Sequence, residues 1–150
     1  MIGVNAFYEL AWEKNTPYEN KIKAEEAVAE LKELIQVINK PLIFTELGFT
    51  SRKDTLFHPW QWPEQTSEVN YDENEQVRGY HAMLSAFASK PWFAGLFIWR
   101  YYAYLADVSQ EPIWAFSPHG KLAETYLERA FSSPWAADPS PWPWKQAPNF

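Results

Sequence analysis

Pro41-Leu42-Ile43-Phe44-Thr45-Glu46-Leu47-Gly48-Phe49 carries the first architectural signal in the chain. Leu42, Ile43, Phe44 and Thr45 run straight into a single acid, and Gly48 follows two places later. A continuous apolar or β-branched run reads as a strand covered on both faces, as in a parallel sheet. An acid where such a strand ends stands at its C-terminal rim, the side on which α/β folds bind ligands. Desolvating a carboxylate is expensive, so its position asks for a reason. Taken alone the stretch leaves two readings open. Glu46 is a functional carboxylate, or it marks where the strand meets water or caps the next element.

The flanking sequence repeats one unit. Ile2-Gly3-Val4-Asn5-Ala6-Phe7-Tyr8 reads as a short buried strand that turns polar at its end. Thr16 and Glu19 have the spacing of a capping box, with Pro17 at the first helical position. Ala24, Ala27, Val28, Leu31, Leu34, Ile35 and Ile38 then recur at helical spacing. Lys40-Pro41 closes that helix, since the residue before proline is pushed out of the α region. After a long loop, Asp72 and Glu75 repeat the capping-box spacing, and Val77, Tyr80, Leu84 and Phe87 form a second stripe. Lys90-Pro91 ends it, and Trp92 to Trp99 is a third apolar run. A third helix is expected from Ser117-Pro118, with Leu122, Ala123, Tyr126, Leu127 and Ala130 on one side. Strand–helix alternation of this kind implies an α/β fold with a parallel sheet.

Composition narrows the function. The 150 residues suit one domain, and 47% hydrophobic content excludes a disordered chain. No run approaches the roughly 20 apolar residues of a membrane span. Net charge is −6 and the basic residues are dispersed, so nucleic acid is not an expected partner. With no cysteine there is neither a disulfide nor a thiolate metal site. Met1 leads into an apolar strand without the basic and small-residue signals of a leader, so these residues carry no address. His58, His81 and His119 lack metal-ligand spacing, and no phosphate loop or serine nucleophile elbow is present. No metal or cofactor is expected. The 18% aromatic content with nine Trp is unusual. Rings fill cores, and they also line carbohydrate sites, where a ring face covers the apolar face of a sugar.

Gly3-Val4-Asn5-Ala6-Phe7-Tyr8-Glu9-Leu10, Phe44-Thr45-Glu46-Leu47-Gly48-Phe49-Thr50-Ser51-Arg52 and Gly95-Leu96-Phe97-Ile98-Trp99 together carry a resemblance. They look like strands six, seven and eight of a (β/α)8-barrel glycoside hydrolase from the clan with two catalytic glutamates. In detail the chain is most similar to glycoside hydrolase family 113, the β-mannanase-like group. Pro59-Trp60-Gln61-Trp62, Gln76 with Tyr80, and Ser117 to Ala123 add to the likeness. The resemblance covers residues 1–131 and implies a partial TIM barrel: three consecutive βα units with parallel strands. Residues 132–150, with five prolines and with Trp135, Trp142 and Trp144, are expected to form a separate tail. That tail is either extended or laid over a groove.

By the same resemblance Glu46 is the nucleophile of a retaining glycosidase acting on a β-linked, mannan-like carbohydrate. Trp99 floors the subsite of the reacting sugar, Trp60 and Trp62 are sugar platforms, and Asn5 and Tyr8 bind substrate from the strand-six rim. Phe7 falls where a tyrosine hydroxyl is expected. Arg52 holds Glu46 ionised or supports the loop, the plainer alternative being an exposed loop arginine. His58 lies among the loop aromatics, and His81 and His119 are expected on helices.

The resemblance also implies a second glutamate, the acid/base, on a fourth strand that these residues do not contain. Retaining chemistry places the two carboxyl groups roughly 5–5.5 Å apart. Glu9, which follows the adjacent strand, is the candidate best placed to approach Glu46, the plainer alternative being a loop acid; Asp107 and Glu111, beyond strand eight, are more remote. The chain is therefore expected to be catalytically incomplete. Its outer strand edges are expected to be open, to be met by the missing N-terminal barrel portion or by self-association. Three readings stand: a glycosidase fragment, a non-catalytic carbohydrate-binding module, and a structural remnant that assembles through its sheet edges.

Overall fold

Each apolar run becomes a strand and each amphipathic stripe a helix in a computed structural model, which describes residues 1–65, 69–104 and 111–132. The order is β1 (Ile2–Asn5), α1 (Pro17–Ile38), β2 (Leu42–Leu47), a 3-10 turn (Pro63–Gln65), α2 (Glu73–Phe87), β3 (Phe93–Ile98) and α3 (Leu122–Phe131). The sheet runs β1-β2-β3, and both pairs are parallel. The strand carrying Glu46 is thus the central one. Asp107 and the expected tail beyond Ser132 lie outside the described residues.

One side of the sheet meets the helices. Leu42, Phe44 and Leu47 are fully buried there, and Val4, Leu96 and Ile98 pack against the same core. Phe44 meets Phe87 of α2 edge-on, with ring centroids 4.8 Å apart, and Phe93 at 4.9 Å. Burying such a ring contributes about 1.5–3 kcal/mol, so this cluster seats α2 on the sheet. The predicted α2 stripe of Val77, Tyr80, Leu84 and Phe87 is buried throughout. In α1, Ala24, Ala27 and Leu31 are buried, whereas Leu34 and Ile38 remain exposed.

Both capping boxes form only by half. Thr16 Oγ1 accepts from the Glu19 N–H at 3.2 Å, and Asp72 accepts from the Asn74 N–H at 3.0 Å. Neither glutamate reaches back to its cap. Glu19 instead accepts the N–H groups of Trp12, Glu13 and Lys14 at 3.1, 2.8 and 3.2 Å. Glu75 accepts from the Asn15 side-chain amide and pairs with Arg78 at 3.3 Å. The loop after β1 has backbone amides without a strand partner, and Glu19 satisfies three of them, whereas Glu75 takes that loop's Asn15 side chain. Burial alone would raise the Glu19 pKa. The amides of Glu13, Trp12, Asn15 and Lys14 outweigh that and hold it below the usual carboxylate range.

Element ends also differ from the sequence reading. Helix α1 stops at Ile38 because Asn39 turns left-handed (φ 50°) and donates to Ile35 O at 2.8 Å, ahead of Lys40-Pro41. Strand β1 ends at Asn5 rather than Tyr8, since the Leu10 and Ala11 N–H groups go to Leu56 O at 2.8 and 3.1 Å. Helix α3 starts at Leu122, five residues after Ser117, and its first N–H donates to Glu73 Oε2 at 2.6 Å. His119 therefore sits in the turn before α3 and not on a helix.

Candidate active site

A break in strand register places Glu46. Val4 pairs with Phe44 but Asn5 pairs with Glu46, and on the other side Phe44 pairs with Leu96 while Leu47 pairs with Ile98. An extra residue is inserted into β2 at Thr45/Glu46, a β-bulge. This is why Phe44 and Leu47, three apart, are both buried on the helix side. Directly paired residues share a face, so Glu46 stands with Asn5 on the side away from the helices. Thr45 Oγ1 donates to Asn5 Oδ1 at 2.7 Å, which leaves the amide Nδ2 of Asn5 to donate elsewhere. Glu46 is half-buried, whereas Thr45 and Asn5 are exposed.

Trp99 lies just past β3, its N–H donating to Leu47 O at 2.8 Å. Gly48 permits that approach: a Cβ there would stand 2.0 Å from the Trp99 carbonyl oxygen. The half-buried Trp99 ring meets Trp62 at 6.2 Å and 84°, and Trp62 meets Phe116 at 6.2 Å. Phe116 in turn meets the edge of Phe7 at 6.2 Å. The Arg100 guanidinium lies 5.2 Å from both the Trp62 and Trp99 ring centres. It pairs with Glu111 at 3.2 Å and donates to the Tyr102 hydroxyl at 2.6 Å. Burial pushes the Glu111 carboxyl up, against the Ser117 amide, Arg100 and Lys121. Burial likewise brings Lys121 down to about 8, opposed by Glu111 and Glu73.

The expected site residues therefore divide. Asn5, Glu46, Trp99 and Trp62 gather at the C-terminal ends of the strands or beside them. Tyr8 does not join them. Its ring packs against the core, and burial with Glu30 of α1 nearby pushes its hydroxyl up to about 12. The ring turned toward the aromatic corner is Phe7, which has no hydroxyl. Trp60 also parts from Trp62, meeting His58 at 5.7 Å with the rings tilted by 58° and lining an open hollow of about 470 Å³ with Phe7, Tyr8, Glu9 and Glu30. Arg52 is buried, not an exposed loop residue, and donates to Gln61 Oε1 at 2.7 Å. It braces the loop that carries Trp62.

Glu9 is exposed and faces His58 at 3.8 Å. His81 lies beside Tyr126, and burial lowers its pKa. His119 stacks on Tyr101 at 5.1 Å with Nδ1 2.6 Å from Tyr102 O. Among the described residues no cluster of three or more His, Asp or Glu is placed to hold a metal. No described helix is long and apolar enough to cross a membrane.

Two roles escaped the sequence reading, although Gln76 and Glu111 were themselves singled out there. Gln76, fully buried on α2, donates to Phe49 O at 2.7 Å and Phe116 O at 2.9 Å, tying the loops after β2 and β3 together. Arg100 and Glu111 frame the two indoles; an arginine directly after the strand-eight tryptophan was the available signal.

The profile of Glycoside Hydrolase Family 113 matches residues 1–121. Among solved structures, the GH113 β-mannanase AaManA from Alicyclobacillus acidocaldarius, in complex with ManMIm, is 28% identical with a TM-score of 0.68. The match covers 87% of this chain and 38% of that one. A complex structure of a GH113 β-1,4-mannanase is 22% identical at a TM-score of 0.67, covering 89% of this chain and 39% of that one. A further GH113 β-1,4-mannanase structure is 21% identical at 0.70, with coverage of 89% and 39%, and adds support for the fold. The chain thus spans about two fifths of the length of these structures. No curated protein matches it.

Proposed function

The chain belongs to glycoside hydrolase family 113, and from that footing we propose that it forms part of the cleft of a retaining β-glycosidase, with Glu46 as the nucleophile. The observation that carries this reading is the bulge that puts Glu46 on the face of Asn5 at the C-terminal rim of the central strand, one residue before Leu47, whose carbonyl accepts the Trp99 N–H.

A carboxylate suits the task. It stabilises an oxocarbenium-like transition state, bonds to the anomeric carbon, and is displaced by water in a second step. Holding it on a strand end limits the freedom lost on reaching the reacting geometry. Trp99 and Trp62 offer ring surface to the sugar, and Asn5 Nδ2 is placed to donate to a hydroxyl or to Glu46 itself. A β-linked, mannan-like substrate follows from the likeness to a β-mannanase. We place the acid/base outside these residues. Glu9 is turned to His58, and Glu111 is committed to Arg100 and the Ser117 N–H. The remainder of the barrel would meet the outer edges of β1 and β3, which pair with no further strand among the described residues.

A second reading, carbohydrate binding without turnover, draws on that same lack of a paired carboxylate among the described residues. One experiment separates the two. A 2-deoxy-2-fluoro-mannosyl fluoride loses fluoride without a proton donor, so labelling of the nucleophile does not require the acid/base. Incubation with the chain is expected to add one glycosyl group to the peptide containing Glu46, and none in Glu46→Gln. Label on another residue would overturn the assignment. Oligosaccharide binding that survives Glu46→Ala, with no label in the wild type, would favour the binding module.

A further inference from the structure

Trp62 sits on the long loop after β2, and three groups fix its ring: Trp99, Phe116 and Arg100. Its backbone is held separately. Gln65 Oε1 accepts from the Trp62 N–H at 3.3 Å, and the Arg52–Gln61 bond braces the same turn. Arg100 is the one charged group of the three. Its guanidinium stands 5.2 Å from each indole centre, while the edge of the same fork reaches Tyr102 and Glu111.

Glu111 is itself anchored. It is 8% exposed, and its second oxygen accepts the Ser117 N–H at 3.3 Å. A surface ion pair contributes little, but an ion pair with one buried, hydrogen-bonded partner holds its geometry. The chain of contacts runs from the Ser117 backbone through Glu111 to Arg100 and on to both rings. It joins three separate pieces of chain: the loop after β2, the tip of β3 and the turn before α3. A planar, delocalised cation can do this, presenting its face to the rings and its edge to the acid; a lysine cannot do both.

We propose that Arg100 is a positioning residue that sets the mutual angle of Trp62 and Trp99, and thereby the shape of the aromatic corner beside Glu46. That the corner receives a saccharide rests on the glycosidase reading; that Arg100 sets its angle does not. Without Arg100, Trp62 keeps only apolar contacts on a long loop, and its ring gains freedom that a ligand would then have to remove.

The test is a double-mutant cycle in the full chain, read by the circular dichroism of the coupled indoles and by titration with β-1,4-mannotetraose. The Trp62→Phe variant defines the spectral contribution of the pair. Arg100→Met is expected to remove most of that contribution, and Arg100→Met with Trp62→Phe to add nothing further. Arg100→Lys is expected to restore part of the signal and serves if the Met variant fails to fold. Affinity for the tetraose is expected to fall about tenfold in Arg100→Met, again without a further loss in the double variant. An unchanged spectrum, or additive losses, would overturn the inference while leaving the glycosidase reading intact. An Arg100-dependent spectrum in a wild type that binds no tetraose would support the positioning and count against the sugar site.

Discussion

Leu96 and Ile98 of β3 lie against the helix-side core with Phe44 and Leu47, whereas Phe97 between them is 63% exposed on the other side. The same strands thus carry two surfaces of opposite character. One is a packed layer of Leu42, Phe44, Leu47 and Phe87. The other bears Gly3, Asn5, Thr45, Glu46, Ala94 and Phe97, mostly exposed and mixed in polarity. Stability is concentrated on the first surface. The second is free to hold groups that would be too costly in a core, an ionisable acid above all. The bulge in β2 is where the chain passes Glu46 from the phase of one surface to that of the other.

That contrast breaks most plainly at Phe44. Phe44→Ala removes a ring packed on Phe87 and Phe93 and is expected to destabilise the chain by about 3–5 kcal/mol, read from the urea midpoint at constant slope. A loss below about 1 kcal/mol would mean that the helix side is not where stability resides.

Polar ties add a second contribution on the helix side, and pH resolves it. The Glu19 pKa is depressed in the folded chain, so its contribution is present above the ordinary carboxylate value of 4.5 and is lost as pH falls through the lower folded value. Glu19→Gln is expected to lower the urea midpoint at neutral pH. The gap from wild type should close as pH drops below that range. A gap independent of pH would assign the effect to geometry and not to charge.

The smallest effect is expected on the opposite surface. Phe97→Ser should change stability by no more than about 0.5 kcal/mol, since the ring is already largely in water. A loss near that of Phe44→Ala would erase the distinction between the two surfaces.

The run from Leu42 to Thr45 was legible as a buried parallel strand because a continuous apolar or β-branched stretch has few other places to go; its central position came from the sheet order. The helix stripes were legible for the same reason: Val77, Tyr80, Leu84 and Phe87 at three- and four-residue spacing leave one face to bury. The capping boxes were half legible. Sequence spacing shows that Glu19 and Glu75 are near their caps, but it cannot show that the loop after β1 offers three backbone amides to one and the Asn15 side chain to the other. Tyr8 was misplaced because β1 ends early, an outcome of hydrogen bonds to Leu56 made 45 or more residues away in the chain.

Local patterns of apolar spacing and turn residues settle which segments become strands and helices, and in which order, since those preferences act over a few residues. They also identify Glu46 as an acid worth asking about. The side of the sheet to which that acid belongs, the parting of Trp60 from Trp62, and the Arg100–Glu111 frame depend on register and on contacts between loops far apart in sequence. No short-range pattern encodes those, because they are fixed only when the whole chain satisfies its buried polar groups at once.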